Sequence, residues 1–538
     1  MKSKFITKKA PLLLASVIMA TMLAACSENE TNNSVEVKET SANESGMPIV
    51  NETMKVSAFA GKFFAEQDFN DLTLFNEYEK MTNIDVEWET VQHGVLTEKK
   101  NLKIASGDLP DFFMASSFTA TDLTKYGSQG VFVPLNPYLE KYAPNFMAIL
   151  EKYPKFKQGV TMPDGNIYGF PTIYDPEFDG LRGSSPWINQ TWLDNLGLER
   201  PETLDELYNV LKAFKTQDPN KNGIADEQGW SASSILGVMN RLYGPFNIYN
   251  QGTMNTHLDM AEGSDEFRFV PATDEFKALL EYTHKLYKDG LIHQNIFTTD
   301  YHKFVAEASK LTTGVLTIVD PEIILKSTEY EPMGVIADKD GKKKYNSMTT
   351  GLGNIGQFVI TNKAKDPAAL VRWMDYFYSD EGTKMFFMGF EGLTYEEKDD
   401  GTVDYLEHMK TDPNKNLDLY VSEHLMWPGG VYPGIVRYDY FKGGESSDNS
   451  RINAEEVKKY RIPDDKIIPK VNYTLDENDQ ITTILADVNT YVDEMIAKFV
   501  TGNVGFNQWD TYKQNLEKMG VDTYVEITQK AYERGLQK

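Results

Sequence analysis

From residue 54 onward, the apolar positions switch repeatedly between a period of two and the longer period of a helix. The pattern predicts strands at residues 55–59, 84–88 and 111–114, with helices at residues 69–81 and 96–105 between them. This strand–helix–strand–helix–strand order is typical of right-handed crossover connections and a mainly parallel sheet. The sequence therefore predicts an α/β fold.

Ligands of open α/β sheets bind at the loops beyond the carboxyl ends of the strands. Here such loops begin at Ala60 after the first predicted strand and at Ser116 after the third. Ser116 and Ser117 are therefore candidate ligand contacts.

Two later helices begin at capping boxes. In a capping box, a hydroxyl and a carboxylate three residues apart each accept from the other residue's backbone N–H. This spacing occurs at Thr203 with Glu206 and at Thr474 with Glu477. Apolar stripes at helical spacing follow both boxes, and a third stripe over residues 276–287 ends before Asp289 and Gly290. We expect all three stripes to face a core.

Residues 1–25 have a different pattern. Lysines are followed by an apolar run over residues 11–25 and then by Cys26, the only cysteine, as in a cleaved secretory signal. An uncleaved anchor would need ~20 apolar residues, more than this run contains. Residues 26–53 are rich in Ser, Asn, Glu and Thr and are predicted to form a disordered tether.

The ending Leu-Ala-Ala-Cys resembles the lipobox of bacterial lipoproteins. The resemblance implies a signal peptide at residues 1–25, a lipidated (palmitate-bearing) Cys26, and attachment to the extracytoplasmic face of the cell membrane. Two or three acyl chains hold a protein at a membrane without spanning it.

Composition narrows the classes of partner. The chain has 80 acidic and 54 basic residues, a net charge of −26, which repels nucleic acid and anionic lipid headgroups. Its 538 residues, 41% of them hydrophobic, suffice for two or more domains. Once Cys26 is lipidated, no thiol remains for a disulfide or a cysteine-based metal or redox site.

The loop over residues 218–229 has the oxygen spacing of a calcium loop. Side-chain oxygens at relative positions 1, 3, 5 and 9, a glycine at 6 and a carbonyl at 7 suit a hard cation. These positions are Asp218, Asn220, Asn222, Asp226, Gly223 and Ile224. Position 12, usually Glu, is Gly229, so Glu227 would have to close the shell. We expect a structural calcium ion; the alternative is a polar, Asx-rich turn.

Two other motifs match by letters only. Residues 412–418 repeat the start of the calcium loop but place Leu417 where the turn needs glycine, so no calcium is expected there. Residues 351–356 match the dinucleotide pattern GxGxxG, yet a strand is predicted to follow instead of the helix that would hold the pyrophosphate. A hinge is the better interpretation of this glycine-rich segment.

Several runs resemble extracellular solute-binding proteins of ABC importers, family 1. The similarity is greatest to the lipoprotein branch often labelled LipO-like, and extends to maltose- and alginate-binding types. The runs are ASGDLPD (105–111), PL (134–135), YAPN (142–145), DGNIYGFP (164–171), WI (187–188), WLDNLGL (192–198), PETLDE (201–206), GFEG (389–392), KFVTG (498–502) and WD (509–510). The chain has Asn189, Gln190 and Thr191 where the family often has Arg-x-Asp, which weakens the case for a charged contact there.

The resemblance implies a two-lobed periplasmic-binding-protein-like fold of type II, large cluster, with hinge crossings. Lobe 1 is expected at residues 54–165 and 350–420, and lobe 2 at residues 166–349 and 421–538. The resemblance implies that a monomer captures a carbohydrate, an oligosaccharide, between its lobes and delivers it to permease subunits. A peptide or other small solute is the alternative.

An enzyme is the rival class. The sequence has no GxSxG elbow, HExxH helix or P-loop. Acidic pairs of the kind a glycosidase needs arise by chance among 80 acidic residues. We therefore expect a binding protein and not a secreted carbohydrate-active enzyme.

Aromatic residues outside helices are the best candidates for stacking on sugar rings. Trp88, in a strand, and Trp192, Trp373 and Trp509, in helices, are expected in the core. Trp230 and Trp427 are placed in loops and are expected to contact ligand. The remaining ligand candidates are Tyr174, Asp175, Arg182, Tyr243 and Asn247; for each, the alternative is a surface residue without a ligand role.

Overall fold

Strands and helices alternate along the chain in the order that the hydrophobic pattern predicts. The structure, a computed structural model, describes residues 40–62, 68–248, 257–345, 351–412, 417–428, 432–463 and 466–537. The signal peptide, Cys26, residues 26–39 of the tether and residues 413–416 of the second calcium-like stretch lie outside the described residues.

The strands are β1 (Met54–Lys62), β2 (Ile84–Gln92), β3 (Phe112–Phe118), β4 (Gly169–Phe170), β5 (Thr172–Tyr174), β6 (Trp187–Asn189), β7 (Gln228–Ser231), β8 (Leu258–Met260), β9 (Phe267–Phe269), β10 (Thr313–Leu316), β11 (Tyr330–Pro332), β12 (Gly356–Ile360), β13 (Tyr395–Glu397), β14 (Val403–Tyr405) and β15 (Gly434–Val436).

The α-helices are α1 (Thr73–Thr82), α2 (His93–Ser106), α3 (Ala120–Ser128), α4 (Asn136–Tyr142), α5 (Pro144–Lys152), α6 (Pro154–Val160), α7 (Gln190–Leu196), α8 (Leu204–Thr216), α9 (Ile235–Met239), α10 (Asp274–Lys288), α11 (Tyr301–Ala308), α12 (Pro321–Leu325), α13 (Pro367–Asp375), α14 (Asp380–Met388), α15 (Glu407–Thr411), α16 (Leu417–Ser422), α17 (Asp448–Lys458), α18 (Leu475–Thr501), α19 (Trp509–Lys518) and α20 (Val521–Leu536).

The first sheet has the strand order β2-β1-β3-β12-β4. β1 pairs in parallel with both β2 and β3, as the crossover pattern predicts. β12 pairs antiparallel with β3 and with β4, because the chain enters this sheet again from the opposite direction. The parallel part of the sheet therefore presents the carboxyl ends of β1 and β3 at one edge.

The second sheet has the strand order β11-β6-β10-β7. β7 and β10 run in parallel, and β6 lies antiparallel to β10. α8 begins at the predicted capping box, where the Thr203 hydroxyl accepts from the Glu206 N–H. α18 begins in the same way at Thr474, so both boxes are confirmed.

Buried apolar residues form two large clusters, which we name the first and second cores. The first draws on residues 49–178 and 352–441. The second draws on residues 188–336 and 468–531. Phe178 and Phe441 therefore pack with the first core, although the predicted boundaries at residues 165 and 420 assign them to lobe 2. The division into lobes at those boundaries stays a prediction.

The structure differs from the sequence prediction at residues 40–53, which were assigned to the disordered tether. Ile49 and Val50 are buried in the first core. Thr40 and Ser41 donate to the Asp366 carboxylate at the start of α13, and Arg372 donates to the Asn43 carbonyl. The polar composition of the segment did not indicate that it packs on the first core, because the packing depends on two apolar residues, Ile49 and Val50.

None of the helices in the described ranges is long and apolar enough to cross a membrane.

Candidate functional site

Three chain segments meet at the side of the first core, each next to a stretch in which the chain passes to or from the second core, and we name this meeting point the hinge. β5 and β15 pair in parallel, from Thr172 beside Gly434 to Tyr174 beside Val436. Residues 351–354 lie along β5: the Tyr174 N–H donates to the Gly351 carbonyl at 2.7 Å, and the Thr172 N–H to the Asn354 carbonyl at 2.8 Å. Short extended segments of this kind can absorb a change in angle between two rigid bodies.

Close packing explains the glycines that match the dinucleotide pattern. A Cβ on Gly353 would lie 3.1 Å from the Tyr174 ring, and one on Gly356 would lie 2.5 Å from the Phe118 carbonyl oxygen. The strand β12 follows, as predicted, instead of the helix that a nucleotide would need. The glycines serve the contact of the hinge with the first sheet.

Tyr174, Asp175 and Arg182 come together at the hinge. The pKa of the Tyr174 hydroxyl is raised by burial and by nearby Glu445. The Asp175 carboxylate accepts from the Glu177 N–H, and the Asp175 N–H donates to the Val436 carbonyl. Arg182 is buried and donates to the Pro176 carbonyl at 3.3 Å.

Ser116 and Ser117 lie inside β3 and not in a loop after it, because β3 extends to Phe118 to pair with Gly356 of β12. The Ser116 hydroxyl is buried and donates to the Met114 carbonyl. Ser117 has a φ of 53°, in the left-handed region. The strand end thus has an irregular backbone, and Ser117 is the more accessible of the two.

Lys100 supports this strand end, and no local sequence pattern indicates this contact. Its ammonium group donates to the Ser116 carbonyl at 3.0 Å and to the Ser117 carbonyl at 3.3 Å, and lies 4.3 Å from the centre of the Phe118 ring. Burial lowers the pKa of Lys100.

The placement of Trp230 in a loop was wrong. It lies in β7, is 0% exposed, and donates from its indole nitrogen to the Thr317 hydroxyl at 3.0 Å. Trp427 does lie outside regular structure, but it is buried against Phe387 and Phe441. Its indole nitrogen donates to the Tyr405 hydroxyl. Neither indole presents an open ring face, because the strand pairing and the first core cover them.

Tyr243 and Asn247 lie apart from the hinge, in the second core. Tyr243 is buried. Asn247 has a φ of 57° and ends a short 3-10 turn, its side-chain oxygen accepts from Lys344 at 2.8 Å, and its carbonyl accepts from Arg268. These partners give Asn247 a structural role.

Trp88, Trp192, Trp373 and Trp509 are buried, as predicted.

The two cores also touch away from the hinge. The side chain of Asn472, before α18, donates to the Gly159 and Thr161 carbonyls at 2.9 Å each. The Thr121 hydroxyl on α3 donates to Asn478 on α18 at 3.0 Å. These bonds fix the start of α18 against the elements of the first core that follow β3.

A pocket of about 370 Å³ lies between the hinge and these contacts, and we name it the hinge pocket. Its walls come from the α5–α6 junction, from residues 351–352 and from residues 467–470. The lining residues are Lys152, Tyr153, Pro154, Lys155, Phe156, Pro176, Arg182, Gly351, Leu352, Ile467, Ile468, Pro469 and Lys470. Of the predicted ligand contacts, Arg182 lines this pocket, and Gly351 and Leu352 of the predicted hinge segment line it too. The other lining residues come from segments too far apart in the sequence to be linked by a local pattern.

The predicted calcium loop is a tight turn stabilised by its own side chains. The Asp218 carboxylate accepts from the N–H groups of Asn222 and Gly223, and the Asn222 side-chain oxygen accepts from the Ile224 N–H at 2.7 Å. Gly223 has a φ of 74°, as a calcium loop requires at this position. The Asn222 amide also donates to Asp226.

Glu227, at the end of the loop, is 2% exposed, and its Oε1 has no hydrogen-bond partner among the residues that the structure describes. A glutamate at position 12 would require the backbone to shift, because a Cβ on Gly229 would lie 2.2 Å from the Leu291 carbonyl oxygen. The donor set is thus oxygen-rich and suits a hard cation in its chemistry. The described residues, including those of this loop, contain no group of three or more acidic, histidine or cysteine side chains that could hold a metal ion.

Residues 64–294 match the family described as bacterial extracellular solute-binding protein. The chain is 31% identical over 553 residues to the fructooligosaccharide ABC transporter substrate-binding protein FusA of Streptococcus pneumoniae serotype 4, with 99% of each chain covered. It is 24% identical to the lipoprotein LipO of Bacillus subtilis (strain 168), with 97% of this chain and 98% of LipO covered.

The structure of S. pneumoniae FusA in complex with kestose superposes with a TM-score of 0.73 at 26% identity, covering 90% of this chain and 99% of FusA. A FusA EF-hand mutant in complex with fructo-nystose gives the same TM-score. The two-lobed solute-binding fold expected from the sequence is confirmed by these matches. The chain belongs to the bacterial extracellular solute-binding proteins of ABC importers.

Proposed function

We propose that the protein captures a carbohydrate, specifically an oligosaccharide, between its two lobes and delivers it to the permease of an ABC importer. The observation that carries the proposal is the hinge, where three chain segments connect two separate cores. The name of FusA, which describes a fructooligosaccharide-binding protein, supports the choice of ligand. The protein acts as a monomer and a binding protein, and catalyses no reaction.

The hinge explains how capture would work. A ligand that contacts both lobes favours the closed form by as much as it binds that form better than the open one. Tyr174 ends β5 and Asp175 follows it, so both residues belong to the hinge. We assign them, with Ser117 at the end of β3, to the ligand surface.

Calorimetry on the full-length chain in mild detergent tests the proposal. We expect kestose or nystose to bind and to raise the melting temperature, with no new product on chromatography. Tyr174→Ala should weaken binding about tenfold, equivalent to ~1.4 kcal/mol. Tyr208→Ala is the matched control, because Tyr208 lies on α8 and donates to Asp289 away from the hinge.

If short peptides bind and sugars do not, the alternative holds and the protein is a carrier of peptides or other small solutes. Release of shorter sugars would show an enzyme instead.

We also propose that Cys26 carries lipid and holds the protein on the outer face of the membrane. The similarity to a protein named a lipoprotein supports this. A tethered binding protein gains effective concentration near its permease. Cys26→Ala should move the protein from the membrane fraction to the medium, whereas Ser27→Ala should not; membrane retention of Cys26→Ala would contradict the anchor.

We further propose that the loop over residues 218–229 holds a structural calcium ion. Asp218, Asn220, Asn222, Asp226, Glu227 and the Ile224 carbonyl would supply the oxygens. Two observations support this proposal: the buried Oε1 of Glu227 lacks a partner among the described residues, and an EF-hand mutant of the relative FusA has been solved. A bound cation would supply the missing partner and would stabilise the loop.

A further inference from the structure

Positive charge is concentrated around the hinge pocket. Lys152, Lys155, Arg182 and Lys470 line it, whereas no acidic side chain does. This contrasts with the chain as a whole, which carries a net charge of −26. A cationic cluster on an acidic protein raises the local concentration of anions at that place.

Three of the four cations already have partners. Lys152 forms a salt bridge with Glu177 at 3.0 Å, Lys155 donates to the Ile467 carbonyl at 2.6 Å, and Arg182 donates to the Pro176 carbonyl. These contacts hold the cations along the pocket wall.

Lys470 differs from them. Within the described part of the chain, its ammonium group makes no hydrogen bond or salt bridge, and burial lowers its pKa. Lys470 is half-buried, and removing a cation from water is costly unless it is paired. An anion in the pocket would provide that pair.

The rest of the wall is apolar. The Tyr153 and Phe156 rings lie 5.1 Å apart, and the Phe156 ring packs closely against Gly351. Leu352, Ile468 and Pro469 complete the surface. Apolar walls with an unpaired cation beside them are suited to a ring with a charged substituent.

We propose that the hinge pocket binds a ring-shaped carboxylate, with its anionic group on Lys470 and its ring against Tyr153, Phe156 and Leu352. The carboxylate has two possible sources: a uronate unit of a sugar, or a free organic acid. Because the walls belong to the first core, the hinge and residues 467–470, an occupant contacts both sides of the hinge. Its binding is therefore coupled to the angle between the lobes.

The test uses the full-length chain and three probes: digalacturonate, benzoate and neutral kestose. We expect an acidic probe to bind in calorimetry and to slow hydrogen exchange at residues 152–156, 351–352 and 466–470. Lys470→Met should weaken this binding about tenfold, ~1.4 kcal/mol, and should leave kestose binding unchanged. Lys157→Met is the matched control, since Lys157 lies on α6, is exposed and does not line the pocket.

Binding of both acids supports recognition of the shared chemistry, and binding of one identifies its source. The proposal fails if neither acid binds at millimolar concentration, if exchange slows elsewhere only, or if Lys470→Met binds as well as the unaltered chain. If Lys470→Met does not fold, the proposal is tested instead by acid binding to Lys470→Gln and by the hydrogen-exchange pattern of the unaltered protein. Loss of kestose binding alone would contradict the transport proposal and leave this one intact.

Discussion

Asp375 and Glu227 are both buried carboxylates, but they differ in the hydrogen-bond donors around them. Asp375, at the end of α13, accepts from the Asn145 N–H, the Asn145 side chain and the Phe146 N–H at 2.8–3.2 Å. Glu227 is equally buried, yet its Oε1 has no hydrogen-bond partner within the described ranges. Three donors from the start of α5 satisfy Asp375, whereas the described part of the chain supplies no donor to Oε1 of Glu227.

Two lysines whose pKa is lowered by burial also differ in their hydrogen-bond partners. Lys100 donates to two carbonyls of β3, while Lys470 has no donor–acceptor contact among the described residues. Buried charges with internal partners contribute to the fold. Those without partners indicate where a ligand would be bound, because an unpaired buried charge is costly.

The largest expected effect is that of Asp375→Ala, which should destabilise the protein by about 3 kcal/mol, since several buried N–H groups lose their acceptor. Thermal unfolding should show the same loss with calcium and with chelator. Asp439→Ala, at an exposed position, is the control and should change little. A calcium-dependent effect of Asp375→Ala would break the comparison.

The double change Asp226→Ala with Glu227→Ala should lower the melting temperature only when calcium is present. Calcium at about 100 times its Kd stabilises a native protein by ~2.7 kcal/mol, and the variant should lack this gain. The adjacent acids Asp399 and Asp400, exposed in the turn between β13 and β14, provide the matched control Asp399→Ala with Asp400→Ala. An equal loss of melting temperature in chelator would rule out the calcium assignment.

Local signals in the sequence were sufficient for most of the framework. The capping box at Thr203 and the alternation in β2 each depend on neighbours within a few residues, and both predictions are confirmed. The calcium-like loop was found for the same reason, because its oxygens lie within one short segment. Burial of Ile49 and Val50 against the first core gave no comparable signal.

Contacts between distant segments could not be predicted from these patterns. Trp230 follows a polar loop in sequence and looks like a loop residue, but pairing of β7 with β10 places it in the core. Lys470 lines a pocket with Lys152 and Leu352, which are more than 100 residues away along the chain. Only the assembled hinge brings these three segments together.

The smallest expected effect concerns pH and tests whether the partners of Asp375 fully offset its burial. Burial raises the pKa of Asp375 to about 6 from an ordinary value of 3.8, despite the three donated hydrogen bonds. The native state therefore binds a proton more tightly than the unfolded chain does, so the stabilisation from protonation is fully present below pH 3.8 and is lost as the pH rises through about 6.

Between pH 7 and pH 5 the unaltered protein should gain about 1 kcal/mol relative to Asp375→Asn, which cannot titrate. Melting temperatures of both proteins, measured at matched ionic strength across this range, give the difference. Identical pH profiles would mean that the three donors hold Asp375 ionised without cost. Its contrast with Glu227 would then be complete, because the fold would satisfy one carboxylate fully and leave the other with an unpaired oxygen.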